Sequence, residues 1–267
     1  MQRPDVRKNL RRGVYIVPTA FTILNIFFGF RSIVNSMRAV EAMAAGQPDR
    51  AIAAIEIACV SILIAAFFDT FDGLVARQLG ATSEFGKEYD SLADVITFGC
   101  APAVLVYAWG LRPLGKLGVG IAFLYLISVS LRLARFNVMT GKSDYRYFVG
   151  LPSPAGALLI AAVIFYAPAP VFDRRFAFVI MILTACTAFS MVSPIRWRAL
   201  KGINFRKGRS LMYIVLLAAL VAVAFAWPRP FGLALALFYL SSGPMARLWS
   251  IAFPPRKTDD VQQVPAT

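Results

Sequence analysis

The chain has 267 residues, of which 58% are hydrophobic, a net charge of +14 and a mean hydropathy of +0.65. Soluble domains average nearer 45–50% apolar residues, so an excess spread along the whole chain excludes an ordinary soluble fold and predicts a polytopic helical membrane protein. The positive charge lies in short clusters between apolar runs, where it sets topology and meets anionic lipid headgroups, so nucleic-acid binding is not expected.

In chain order, the basic arm MQRPDVRKNLRR precedes a first predicted span, Val14 to about Val34. That span is too long for the apolar core of a cleaved leader and contains Arg31, so it is expected to remain as an anchor. Thr22 and Asn25 lie three apart in it and share a helical face. A polar link over residues 38–50 leads to the second span, Ala51 to about Phe68. A third is predicted from about Tyr89 to Trp109 and a fourth from Leu117 to about Leu133. Four more apolar runs follow: Ala155–Tyr166, Phe176–Val192, Leu211–Trp227 and Phe231–Trp249. The total is about eight transmembrane helices, an all-α membrane bundle. Cys59, Cys100 and Cys186 all fall in apolar stretches and read as small core residues, not as a disulfide framework.

The stretch DTFDGLVARQLGATSEFGKEYDSLAD, Asp69 to Asp94, carries the chemistry. Asp69 and Asp72 share one helical face, and so do Asp90 and Asp94. Two such helices facing each other aim four carboxylates at one point, which then needs cations. Oxygen ligands suit Mg²⁺ or Mn²⁺, and the chain has no histidine to favour zinc or iron. Gly73 and Gly86 leave room beside the carboxylates, and Arg77 offers a fork suited to phosphate. Together these residues point to metal-assisted phosphoryl chemistry at a membrane surface. The carboxylates alone would also suit a divalent cation transporter.

The spacing D-x2-D-G-x2-A-R-x8-G-x3-D-x3-D is met at Asp69, Asp72, Gly73, Ala76, Arg77, Gly86, Asp90 and Asp94. It resembles the signature of the CDP-alcohol phosphotransferases. Two further segments resemble the membrane-spanning bacterial phosphatidylserine synthases within that superfamily: RLARFN, containing Arg132, Arg135 and Asn137, and Phe148-x-Gly150-Leu151-Pro152-x-Pro154-Ala155. TAFTILNIFFGF in the first span resembles the same branch, although Thr19 stands where an Asn is usual.

The resemblance implies a six-helix catalytic core over residues 1–193, and two added helices with a basic loop and polar tail over 194–267. It implies transfer of a phosphatidyl group from CDP-diacylglycerol to L-serine, giving phosphatidylserine and CMP. Asp69, Asp72, Asp90 and Asp94 would bind two Mg²⁺ or Mn²⁺ ions, with Asp94 also the base. Gly73, Arg77, Ser83, Gly86, Thr22 and Asn25 would bind CDP-diacylglycerol, and Arg132, Arg135 and Asn137 the acceptor or phosphate. The same arginines would also suit glycerol 3-phosphate or an inositol phosphate. A homodimer is expected from the resemblance. Most of the 28 Lys and Arg fall on the side of the termini, the signature and RLARFN. That places these segments in the cytoplasm and the chain in the inner membrane.

Overall fold

The computed structural model describes residues 6–78, 84–139, 147–194, 196–198 and 223–252. Most of the predicted seventh span, Leu211–Trp227, lies outside the described residues, as do Ser83 and the Arg77 side chain. Two long helices, α1 (Val6–Ala44) and α2 (Pro48–Gln78), form an antiparallel hairpin closed by a tight turn. Gly46 turns there with φ +68, and its amide donates to the Met43 carbonyl. Both helices exceed their predicted spans, because polar residues at either end continue the helix into the aqueous boundary.

The third crossing begins with α3 (Glu84–Asp94) and changes pitch repeatedly. A π-helical stretch, Val95–Cys100, follows Asp94 directly. Then come α4 (Ala101–Val106), a second π turn over Tyr107–Leu111 and a 3₁₀ turn over Arg112–Leu114. The wide turns have an identifiable cause. Pro102 lacks an amide hydrogen, so the Phe98 carbonyl four residues earlier loses its α-helical donor. The buried Tyr125 hydroxyl, from the next helix, donates to that carbonyl at 3.1 Å.

The fourth crossing is α5 (Lys116–Met139), and α6 (Ser153–Tyr166) and α7 (Arg174–Val192) follow. At about 1.5 Å per residue, α6 is only about 21 Å long, less than a hydrocarbon core of about 30 Å. A short non-helical segment, residues 147–152, precedes it. Gly150 is buried with φ +84, and a side chain there would overlap the Met191 carbonyl, so only glycine fits. The Leu151 amide then donates to the Ser190 carbonyl at 3.0 Å, satisfying the open end of α7. Asp173 caps the start of α7 by accepting from the Arg175 amide at 2.8 Å.

One small departure from the predicted all-α bundle is a strand pair. β1 (Tyr147–Val149) runs antiparallel to β2 (Arg196–Arg198), with Phe148 opposite Trp197. Finally α8 (Pro228–Ala252) packs along α6. Among the described residues, five helices are long and apolar enough to cross a membrane, with α6 a shorter sixth apolar helix. The chain is a multi-pass helical membrane protein. Its core gathers Ile55, Ile62, Phe98, Leu105, Tyr125 and Ile164 between helices, while Phe27, Phe67, Phe123 and Val179 face outward where lipid would lie.

Tyr125→Phe removes the hydroxyl but keeps the ring. Leaving the Phe98 carbonyl unpaired in the core is expected to cost about 1–3 kcal/mol, read as a lower unfolding midpoint of the detergent-purified protein.

Candidate functional site

The alternation of helix directions brings one set of ends together. The last turns of α2, the start of α3, the last turns of α5, the start of α6 and the end of α7 all meet there. The acidic residues sit on α2 and α3 at this end. One carboxylate oxygen from each of Asp69, Asp72 and Asp90 lies within 4.8 Å of the other two. Asp72 is buried, and the Thr22 hydroxyl of α1 donates to its Oδ2 at 3.0 Å. Asp94 faces Asp69, Asp90 and Arg132. Of the four carboxylates that helical spacing pairs, three have oxygens within 4.8 Å of one another and Asp94 lies beside Asp69.

The helix macrodipole does not explain this placement. The third crossing was predicted to start near Tyr89, which would put Asp90 and Asp94 at a helix N-terminus. It starts at Glu84, so both lie beyond the first turn, where the dipole has faded. What orients them is packing. Just beyond Asp94, Thr97 of the π turn donates to the Asn25 carbonyl of α1 at 3.2 Å. Gly29 of α1 lets this turn approach, since a side chain there would collide with Thr97. The wide turn thus fastens the carboxylate-bearing end of α3 to α1, a common setting for functional sites.

The donor set fits a hard divalent cation. All ligand candidates are carboxylate oxygens, and Oδ1 of Asp90 and Oδ1 of Asp94 are buried without a hydrogen-bond partner among the described residues. Buried carboxylates crowded this closely repel one another, and a cation between them removes both the repulsion and the unmet acceptors. The acidic cluster could therefore hold a divalent metal. Gly73 borders open space: a side-chain carbon placed there would meet nothing within 4 Å. Gly86 lies in the first turn of α3.

Asn25 is fully buried, and neither its amide nitrogen nor its side-chain oxygen has a partner among the described residues. The three RLARFN residues diverge. Arg132 Nη1 donates to the buried Ser153 hydroxyl at the start of α6 at 2.7 Å, and the guanidinium faces Asp94 and Asp69. Arg135 Nη1 donates to the Val192 carbonyl at 3.0 Å, closing the end of α7. Asn137 Nδ2 donates to Ser91 Oγ at 3.0 Å. Ser153 and Ser91 were not singled out from sequence. Ser153 fills a variable position of the GLP-x-PA segment, and nothing local distinguishes it from a helix-starting serine.

Comparison with known proteins agrees with this geometry. The family model described as CDP-alcohol phosphatidyltransferase matches residues 15–192. A CDP-diacylglycerol–serine O-phosphatidyltransferase from Helicobacter pylori strain 26695 is 37% identical over 147 residues, covering 55% of this chain and 56% of that protein. The protein of that name from Bacillus subtilis strain 168 is 41% identical over 115 residues, 43% of this chain and 64% of its own length. An archaetidylserine synthase from Methanothermobacter thermautotrophicus is 32% identical over 180 residues, 67% of this chain and 69% of that protein. The chain thus spans a little over half the length of the Helicobacter relative.

Asp90→Asn should expose the tension in the cluster. Without added metal the variant is expected to unfold about 2–4 °C higher than wild type, as about 1 kcal/mol of repulsion is relieved. Added Mn²⁺ should raise the wild-type midpoint and leave that of the variant unchanged.

Proposed function

The chain belongs to the CDP-alcohol phosphatidyltransferase family, and from that premise we propose that it transfers the phosphatidyl group of CDP-diacylglycerol to L-serine, giving phosphatidylserine and CMP. The observation that carries the proposal is the group of three carboxylate oxygens within 4.8 Å, bordered by the open space at Gly73. A structural acid cluster needs no such space, and a diphosphate does. The names of the Helicobacter and Bacillus relatives support serine as acceptor.

Asp69, Asp72, Asp90 and Asp94 would hold Mg²⁺ or Mn²⁺, two ions in this reading. When bound, the metal supplies the positive charge that draws in the diphosphate and offsets charge on the departing CMP. Gly73 and Gly86 make room for the nucleotide diphosphate. Arg77 and Ser83 contribute polar contacts, and the unengaged amide of Asn25 and the hydroxyl of Thr22 complete the seat. The acyl chains stay among the outward-facing apolar side chains.

Asp94, beside Asp69, accepts the proton of the serine hydroxyl. That oxygen attacks the β-phosphorus as the bond to CMP breaks. Arg132 receives the serine carboxylate, its charge already turned toward the cluster. Arg135 and Asn137 take rim positions. The charge asymmetry of the sequence, with Lys and Arg concentrated in the arm, RLARFN and the 196–209 segment, supports a cytoplasm-facing site in the inner membrane. The resemblance adds a homodimer.

The test is CMP release from CDP-diacylglycerol with each labelled alcohol, using wild-type membranes. Release is expected with L-serine, lost with EDTA and restored by Mg²⁺ or Mn²⁺. Release with glycerol 3-phosphate alone would reassign the acceptor, and metal flux with no CMP from any alcohol would make the protein a transporter. Gly73→Ala meets nothing in the protein, so it should fold normally. It should raise the CDP-diacylglycerol KM about tenfold while leaving the serine KM within about twofold.

A further inference from the structure

The family match ends at residue 192, yet α8 lies along the same bundle. Its register can be read from two ends. At the end far from the acidic cluster, Arg229 pairs with Glu56 of α2 and lies over the Phe165 ring of α6, 5.7 Å from its centroid. At the other end α8 meets β2, close to where α6 begins, so the two helices run antiparallel. With about 1.5 Å per residue in both, about ten residues along α8 from Arg229 come level with about Ala155 on α6. The residue there is Tyr239. It is half-buried, packs against the core, and its phenol lies within electrostatic reach of the Arg132 guanidinium.

Arg132 thus has one hydrogen-bond partner and several charged or polar neighbours. Ser153 takes Nη1 at 2.7 Å, Asp94 and Asp69 face it across the site, and Tyr239 approaches from α8. Its Nε is buried with no partner among the described residues. A guanidinium has five donors in a fixed plane, so one hydroxyl at Nη1 does not set its tilt. A phenol oxygen can accept from the guanidinium and still offer its own O–H to a neighbouring anion.

We propose that Tyr239 is a positioning residue that orients Arg132 toward the anionic group of the acceptor alcohol, so that a helix outside the family-matched region helps set acceptor affinity. This rests on the acceptor site proposed above. Tyr239 touches no reacting atom and no substrate group; it acts through Arg132 alone.

The test uses the full-length protein in detergent with CDP-diacylglycerol, reading CMP release against acceptor concentration. Tyr239→Phe keeps the ring and the packing of α8. It is expected to raise the acceptor KM about tenfold, leaving kcat and the CDP-diacylglycerol KM within about twofold. In an Arg132→Lys background the same change should add no more than about twofold, because the group it orients is gone. Unchanged KM values, equal rises for both substrates, or full additivity with Arg132→Lys would each overturn the proposal. So would a lowered unfolding midpoint with intact KM values, which marks a packing role only. Should wild type use another alcohol in place of serine, the serine reading falls and the KM split for that alcohol still decides Tyr239. Should no alcohol yield CMP, stabilisation by L-serine decides it: equal midpoint shifts in wild type and Tyr239→Phe overturn the assignment.

Discussion

The structure depends on negative charge held where water is scarce. Asp69, Asp72 and Asp90 crowd their oxygens within 4.8 Å, at the end of a bundle whose body is apolar. Nothing in the packing of hydrophobic helices asks for this, and mutual repulsion opposes it. The surrounding architecture reads as the means of imposing it. The α1–α2 hairpin brings Thr22 to Asp72, and the π turn beyond Asp94 locks the start of the third crossing to α1. Stability given up at the cluster is recovered elsewhere, in the close-packed core around Phe98 and Tyr125.

Much of this was legible in the sequence because charge inside an apolar context has few explanations. The aspartates, their pairing by helical spacing and the glycines beside them followed from the letters alone. The crossings α2, α5 and α7 followed from long apolar runs. The third crossing's pitch changes did not, since VITFGCAPAVLVYAWGL is apolar on every face and carries no periodicity to break. Pro102 was the one visible signal, and its consequence depended on where Tyr125 lands. The start of α6 was legible to within two residues, Ala155 expected and Ser153 observed, but the buried turn at Gly150 before it was not. The β1–β2 pair joins segments far apart in sequence, too short and mixed to announce themselves.

The site also shows how far residue type falls short of partner. Arg132, Arg135 and Asn137 look equivalent as candidates for an anion. Folding commits them differently, to a serine hydroxyl facing the carboxylates, to a helix-end carbonyl and to a neighbouring serine. The difference is set by the start of α6, the end of α7 and the middle of α3, which supply the three partners. Function here is therefore distributed. The carboxylates come from one signature, their tethering from α1, and the setting of the basic group from helices well downstream.

The α1–α2 hairpin has a consequence for the lipid as well as for the protein. From Pro48 to Asp69, α2 runs about 31 Å at about 1.5 Å per residue, close to the thickness of a bilayer's hydrocarbon layer. The hairpin would therefore work as a ruler: with its turn at one surface, the aspartates would lie close to the other. A membrane a few ångströms thinner or thicker would shift that level or tilt the pair, and so change how deep an incoming polar group must travel.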